Sequence, residues 1–208
     1  MPNDLTFAPA LTRRAVTGGL VLGGLAATLP GLALAQGGAA AAARAAVEQA
    51  VASVNRIIAS GESEQQMYDD FERVFATYAD VPTIARSTLG VAARQATPAQ
   101  LQAYTQAYQG YVSRKYGRRF REFIGGKIEV TGVNPIKSYY EVVSTAYTRG
   151  SSPADVRWHV NTSSGSPRFF NIIIQGVNML ASERTEVQAI LDQQGGSIDR
   201  LTQALRRA

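Results

Sequence analysis

The spacing of apolar residues changes at Gly125-Gly126, and this change limits what the chain can fold into. Before these glycines, apolar residues recur every three or four positions, as on one face of an α-helix. From residue 127 to residue 175 apolar and polar residues alternate, as in strands with one buried face. The end of the chain returns to the helical spacing. Helices, then a run of strands, then helices predict an α+β fold.

The longest helical pattern runs from residue 97 to residue 124. Thr97 is suited to cap a helix whose first turn holds Pro98. The apolar stripe of this helix is mostly aromatic: Leu101, Tyr104, Tyr108, Tyr111, Val112, Tyr116, Phe120 and Phe123. Its last turns carry cations, which suit the negative end of a helix dipole: Arg114, Lys115, Arg118, Arg119 and Arg121. Such a helix fits a ligand with an apolar body and an anionic head. An ordinary core with solvated arginines fits the same periodicity.

The remaining patterns complete a two-layer architecture. Further helices are predicted over residues 45–61, 63–78, 84–89, 180–192 and 198–207. Four strands are predicted over residues 127–133, 139–148, 154–162 and 169–175, with Asn134-Pro135 as a turn. Val156, Trp158 and Val160 should share one face of their strand with Phe170, Ile172 and Ile174 of the next. The predicted fold is a four-stranded antiparallel curved sheet, a meander, with about six helices on one face that enclose an apolar cavity.

The first 35 residues have the composition of an export signal. Arg13 and Arg14 precede an uncharged run, and Ala33-Leu34-Ala35 fits a signal-peptidase site, so cleavage is predicted before Gln36. The paired arginines and the glycine-diluted run resemble a twin-arginine signal, and Sec export remains open. Residues 36–208 are long enough for a single domain with its own core. Export places this domain in the periplasm as a soluble protein.

The residue types that carry most enzyme chemistry are scarce. The chain has no cysteine and a single histidine, His159, which is interpreted as a surface residue. No nucleophile elbow, Walker A loop or dinucleotide-binding turn is found. The net charge of +5 falls by one when the signal is removed, and an exported protein of such modest charge does not require nucleic acid. We therefore expect no catalytic residues, cofactor or metal.

Several segments in a fixed order resemble the MlaC family of periplasmic phospholipid-binding proteins, which belong to the Mla and toluene-tolerance transport systems. The resemblance covers about residues 47–208. It rests on V-P-T-I-A-R-S-T-L-G (81–90), A-T-P-A-Q (96–100), Y-G-R-R-F (116–120), F-F-N-I-I-I-Q-G-V-N (169–178), and Arg184 followed by Q-G-G-S-I-D-R-L (194–201). The chain departs from the family at Ala93, where a tryptophan is usual, and at Phe169 to Asn171. These changes leave a hopanoid or another polycyclic lipid open as the cargo.

The resemblance implies a carrier and no catalysis. Such a protein passes a phospholipid between an outer-membrane lipoprotein–porin complex and the MCE-domain subunit of an inner-membrane ABC transporter, and so maintains the lipid asymmetry of the outer membrane. We expect it to act as a monomer that makes transient contacts with these membrane proteins. Its bound phospholipid is cargo and not a cofactor.

The hydrophobic effect requires a closed binding site for such a cargo. A diacyl lipid has roughly 30 methylenes at about 0.8 kcal/mol each, so exposing both tails costs on the order of 20 kcal/mol. The predicted lining is Ile84, Leu89, Tyr104, Tyr108, Tyr111, Val112, Phe120, Val130, Val142, Trp158, Val160, Phe170, Ile172, Ile174 and Met179. The predicted head-group donors are Arg118, Arg119 and Arg121.

Two functions of other classes stay open at this point. Small α+β domains with a pocket also serve as isomerases, in which a buried Asp or Tyr does the chemistry. A structural adaptor for a transporter would have its interior filled by side chains. A buried Asp–Tyr pair with a perturbed pKa would favour the enzyme, and an interior too small for an acyl chain would favour the adaptor.

Overall fold

The computed structural model describes residues 30–117 and 125–208, with side chains from residue 37 onward. These residues form six α-helices, as predicted: α1 (Pro30–Ala59), α2 (Glu64–Tyr78), α3 (Val81–Leu89), α4 (Pro98–Gly117), α5 (Met179–Gln193) and α6 (Ile198–Arg207). A 3₁₀ helix, Gly90–Arg94, follows α3. The strands are β1 (Lys127–Ile136), β2 (Tyr139–Tyr147), β3 (Ala154–Asn161), β4 (Arg168–Ile174) and β5 (Val177–Asn178).

The sheet is a curved antiparallel meander with the strand order β1-β2-β3-β4-β5. The α+β class and the antiparallel sheet are therefore confirmed, but the predicted number of four strands is wrong. The fifth strand is only two residues long, too short to show an alternating pattern. It turns back on β4 through Gln175 and Gly176, whose φ angles are 51° and 79°. Two consecutive residues with positive φ form the kind of tight turn that matches the twist of a hairpin.

Strand β1 extends further than the sequence indicated. Pro135, which was predicted to lie in a turn, pairs with Tyr140 inside the β1–β2 ladder. Proline cannot donate a backbone hydrogen bond, but β1 is an edge strand, where one side of the backbone has no strand partner. The turn therefore falls after Ile136.

Helix α1 covers that exposed edge. The Asn55 amide group donates to the carbonyl oxygen of Ile128 at 3.1 Å, and its oxygen accepts from the Ile128 N–H at 3.0 Å. One side chain thus takes the place of a neighbouring strand at this residue. Covering an edge in this way removes a template for pairing with another chain.

Helix α4 begins as predicted, with a capping box. The Gln100 N–H donates to Thr97 Oγ1 at 3.2 Å, and the Gln100 side chain accepts from the Thr97 N–H at 3.0 Å. The helix is described as far as Gly117, so the predicted last turns, residues 118–124, lie outside the described residues. Helix α4 packs against α2, α3 and α6, while α3 packs against α5.

The two faces of β3 are as predicted, because Val156, Trp158 and Val160 are buried and face the helices. The prediction for Phe170 is wrong. A bulge in β4 pairs Phe169 with Val160 and displaces Phe170 to the other face. There the Phe170 ring contacts Tyr139 and His159, with centroids 5.4 and 5.9 Å apart. A bulge inserts one residue, so the alternation read from sequence shifts by one at that point.

Candidate functional site

The aromatic stripe of α4 lies in the centre of the molecule. Tyr104 and Tyr108 are 0% and 1% exposed, and Tyr111 is also buried. Their rings follow one another, with centroids 5.9 Å apart between Tyr104 and Tyr108 and 6.4 Å apart between Tyr108 and Tyr111. Spacings of three and four residues place these side chains on one helix face, which explains the continuous contact.

The hydroxyl groups of Tyr104, Tyr108 and Tyr111 are neutral at physiological pH. Tyr104 and Thr88 share a buried hydrogen bond of 2.7 Å, and the Thr88 hydroxyl itself donates to the carbonyl oxygen of Ala85. Burial raises the pKa of Tyr104 and that of Tyr108 above the ordinary value. Burial also raises the pKa of Tyr111, together with its hydrogen bond to Glu186. A phenol with a raised pKa is a poor general base, so this stripe is not suited to proton abstraction.

The inner face of the sheet contributes further apolar side chains to the buried cluster that contains these tyrosines. Val142 and Val160 are 0% exposed, and Trp158 is buried beside them. The indole N–H of Trp158 donates to Ser144 Oγ at 2.9 Å, and the Ser144 hydroxyl donates to the carbonyl oxygen of Val156 at 3.1 Å. The only tryptophan of the chain therefore has its polar atom satisfied inside the core, as buried indoles usually do.

Phe169 is a core residue that sequence reasoning missed. Its ring contacts Trp158 edge-on at 5.2 Å and Phe75 of α2 at 6.2 Å. It links the sheet to the helical layer in the place that the sequence assigned to Phe170. Two adjacent phenylalanines carry the same hydrophobic signal, so only the bulge decides which one turns inward.

The structure brings together most of the predicted lining residues. Those that are buried in one cluster are Ile84, Leu89, Tyr104, Tyr108, Tyr111, Val112, Val142, Trp158 and Val160. Val130, Ile172 and Met179 are partly buried, and so is Phe170, which lies on the outer face of the sheet. Ile174 is 37% exposed beside the β4–β5 turn. Phe120 lies outside the described residues, as do the predicted head-group donors Arg118, Arg119 and Arg121. That these side chains line a lipid cavity stays a prediction.

A polar cluster continues the aromatic stripe at the last turn of α4. Lys115 Nζ lies 2.7 Å from Glu183 Oε1 and also pairs with Glu186. The Tyr116 hydroxyl donates to Glu183 Oε1, and the Tyr111 hydroxyl donates to Glu186. The same ammonium group stands 5.6 and 5.4 Å from the centroids of the Tyr111 and Tyr116 rings. Among the described residues, this Lys115 cluster places two carboxylates and two aromatic rings around the ammonium group of Lys115.

Glu183 is the member of the cluster that sequence reasoning missed. It is 4% exposed and lies on the buried face of α5 with Val187 and Leu191. Glu183, Val187 and Leu191 follow one another at intervals of four residues. This spacing in the sequence predicts that Glu183 lies on the same helix face as the two apolar residues. Its partner Lys115 is 68 residues away in sequence, so nothing local identified the pair.

One of the predicted cations has a structural role. Arg114 donates from Nη2 to the carbonyl oxygen of Leu205 at 2.7 Å. Leu205 lies in the last turn of α6, where carbonyl groups have no partner inside the helix. The basic end of α4 is therefore not uniformly available to a ligand.

His159 lies on the outer face of the sheet, as predicted, but its side chain is only 12% exposed. It stacks on Tyr139 at 4.6 Å, and its Nε2 lies 3.8 Å from Glu141. Burial lowers the pKa of His159, and the nearby carboxylate of Glu141 opposes that shift. Within residues 30–117 and 125–208, no group of three His, Cys, Asp or Glu side chains is arranged to hold a metal ion.

A cleft of about 360 Å³ opens between α1 and α2. Its walls include Ser53, Arg56 and Ile57 of α1 with Asp70 and Arg73 of α2. Charged walls do not suit a hydrocarbon chain, because the charged groups would lose water without gaining a partner. The buried apolar cluster that contains the tyrosines of α4 is the better candidate for a lipid tail.

The chain belongs to the MlaC family, whose model, described as MlaC protein, matches residues 47–207. This is a family of periplasmic lipid-binding proteins, so the class suggested by the sequence resemblance is confirmed. A solved structure of the phospholipid-binding protein from Ralstonia solanacearum, in complex with a phospholipid, has a similar fold. It is 20% identical, with a TM-score of 0.68 over 79% of this chain and 95% of that one. Of the helices in the described part of this chain, none is both long and apolar enough to cross a membrane.

Proposed function

We propose that this protein is a periplasmic carrier that holds the acyl tails of a phospholipid between α4 and the inner face of the sheet. The observation that carries the proposal is one buried apolar cluster that contains both the tyrosine stripe of α4 and Val142, Trp158 and Val160 of the sheet. Membership of the MlaC family and the phospholipid bound by the structurally similar protein from Ralstonia solanacearum support it.

The free energy of the tails explains why an interior site is needed. Roughly 30 methylenes at about 0.8 kcal/mol each make an open surface site too costly, by on the order of 20 kcal/mol. Tyr104, Val142 and Val160 belong to one buried cluster, so loading is proposed to open this cluster. The tails then replace side-chain contacts with contacts of similar apolar character. The phosphate remains at the mouth, where Arg118, Arg119 or Arg121 is proposed to meet it.

The proposed transport route runs between an outer-membrane lipoprotein–porin complex and the MCE-domain subunit of an inner-membrane ABC transporter. The carrier acts as a monomer and its partner uses the ATP. This route would maintain the lipid asymmetry of the outer membrane. A hopanoid or another polycyclic lipid is the alternative cargo, since Ala93 and Asn171 depart from the family pattern.

The first test is to identify what the purified protein carries. Native mass spectrometry and lipid extraction of protein from cells should show a bound phospholipid, and the delipidated protein should take up lipid from vesicles. A polycyclic lipid in the extract would select the alternative cargo. A purified protein without a bound lipid, and without lipid uptake from vesicles, would contradict the carrier function. The structural adaptor would then be the remaining alternative.

The second test separates tail binding from folding. Val142→Trp adds a bulky ring on the inner face of β2 and should block lipid uptake. Val143→Trp places the same ring on the outer face, where Val143 pairs with Arg157, and should leave uptake unchanged. Thermal unfolding must show both variants folded. Equal uptake by the two folded variants would place the lipid elsewhere.

A further inference from the structure

The three buried tyrosines of α4 differ in how their hydroxyl groups are bonded. The Tyr104 hydroxyl bonds to the Thr88 hydroxyl at 2.7 Å. Tyr104 is the donor in this bond, because the Thr88 proton goes to a backbone carbonyl oxygen. The Tyr111 hydroxyl donates to Glu186. The Tyr108 hydroxyl forms no hydrogen bond with a residue in the described part of the chain.

A buried hydroxyl without a partner is unfavourable. The side chain of Tyr108 is 1% exposed. Such a hydroxyl has lost its hydrogen bonds to water, and no protein group compensates for them. Buried tyrosines usually have a partner for this reason, and a phenylalanine would fill the same space without the loss. The hydroxyl of Tyr108 is therefore a candidate contact for a molecule that the protein binds.

The position of Tyr108 along α4 indicates which part of a lipid would reach it. Tyr104, one helical turn earlier, is 0% exposed. Tyr111 follows about 4.5 Å further along the helix axis and bonds to Glu186, whose side chain is 44% exposed. Tyr108 thus lies about one turn inside the point where the stripe meets solvent. In a lipid with buried tails and a solvated head group, the ester bonds lie at this depth, since they join the tails to the glycerol.

We propose that the Tyr108 hydroxyl donates a hydrogen bond to the carbonyl oxygen of an ester bond in the lipid cargo. This inference deepens the proposed carrier function and rests on it. An ester carbonyl accepts hydrogen bonds and donates none, so it needs a donor. The protons of the Tyr104 and Tyr111 hydroxyls are already given to Thr88 and Glu186. The protein should therefore prefer ester-linked lipids to ether-linked lipids.

The experiment is a competition between the two linkages. The protein purified from cells is delipidated and mixed with vesicles that contain equal amounts of a diester phosphatidylglycerol and the diether lipid of the same head group and chain length. Bound lipid is identified by its mass in native mass spectrometry. The diester should exceed the diether by about fivefold, the ratio that corresponds to one hydrogen bond of about 1 kcal/mol.

One variant and a matched control assign the preference to Tyr108. Tyr108→Phe removes the hydroxyl and keeps the ring, so it should bind the two lipids at a ratio close to one. Tyr147→Phe removes a hydroxyl on the outer face of the sheet, where the ring centroid lies 5.3 Å from Nζ of Lys127. This control should keep the preference for the diester.

The stability of the lipid-free protein is a second measurement. If the Tyr108 hydroxyl has no partner before a lipid binds, its removal should raise the urea concentration at the midpoint of unfolding of the delipidated protein. A lower midpoint in Tyr108→Phe would show that the hydroxyl has a partner in the empty protein, and it would overturn the inference.

The possible failures are distinguishable. No uptake of either lipid by the wild-type protein would overturn the carrier function and this inference with it. Uptake of both lipids in equal amounts would overturn only the inference. So would a preference for the diester that Tyr108→Phe retains, because another group would then contact the ester bond.

Discussion

Raising the pH should unfold this protein through its buried tyrosines. Tyr104 and Tyr108 are 0% and 1% exposed, and burial raises the pKa of each above the usual value of about 10. In the unfolded chain both phenols lose their protons near pH 10, whereas in the folded protein they keep them. The folded state then binds more protons than the unfolded state, so stability falls as the pH rises above 10. Below that pH the contribution of these groups to stability is fully present.

The size of this loss of stability follows from the number of phenol protons that the folded state retains and the unfolded state loses. Each phenol that stays protonated only in the folded state lowers the free energy of unfolding by about 1.4 kcal/mol per pH unit above 10. Between pH 9 and pH 11 the two tyrosines together should cost about 2.7 kcal/mol. This is a large share of the stability of an ordinary domain, about 5–15 kcal/mol. Tyr111 adds a smaller amount because its hydroxyl lies nearer to solvent.

The assay is urea denaturation at a series of pH values, with the near-ultraviolet absorbance of tyrosinate followed in parallel. Tyr104→Phe and Tyr108→Phe should each reduce the alkaline slope by about 1.4 kcal/mol per pH unit. Tyr147→Phe, on the outer face of the sheet, is the matched control for the loss of a hydroxyl. If Tyr104 and Tyr108 ionised near pH 10 in the folded protein with no loss of stability, the reasoning would be refuted.

Three further predictions concern the scaffold, and urea denaturation measures each of them. Asn55→Ala leaves the backbone N–H and carbonyl of Ile128 without the Asn55 side chain at the edge of β1. It should lower the free energy of unfolding by about 1–3 kcal/mol and increase aggregation. An unchanged free energy of unfolding would mean that water replaces the amide group. Gly117→Ala places a Cβ 2.4 Å from Cδ1 of Tyr68 and should cost about 1–3 kcal/mol, an effect that Tyr68→Ala should relieve if the clash is the cause. Thr97→Ala removes the cap of α4 and should cost about 1 kcal/mol; no loss would show that the cap is dispensable.

Local patterns were sufficient for most of the helices and strands, but not for β5 or for the end of β1. The helix start at Thr97, the inner face of β3 and the order of helices and strands follow from spacing and capping chemistry within a few residues. The predictions for Pro135 and Phe170 were wrong because both depend on what lies on the neighbouring strand. Pro135 is tolerated since its strand is at an edge, and Phe170 is displaced since β4 carries a bulge opposite His159.

The residues of the candidate site were likewise predicted from the sequence only in part. The tyrosines of α4 were identified because a helix places residues of this spacing on one face. Glu183 was not identified, because its ion pair with Lys115 joins two helices that are separated by the whole sheet in sequence.

The amino-acid sequence alone determined the α+β class, the aromatic face of α4 and the membership of the MlaC family, since each depends on residue order over short stretches. Only the tertiary structure decided which phenylalanine enters the core, where the chain adds a fifth strand, and which carboxylate is buried beside the tyrosines. The physical reason is that strand register and burial are set by contacts between residues far apart in the chain, and a local pattern contains no record of those contacts.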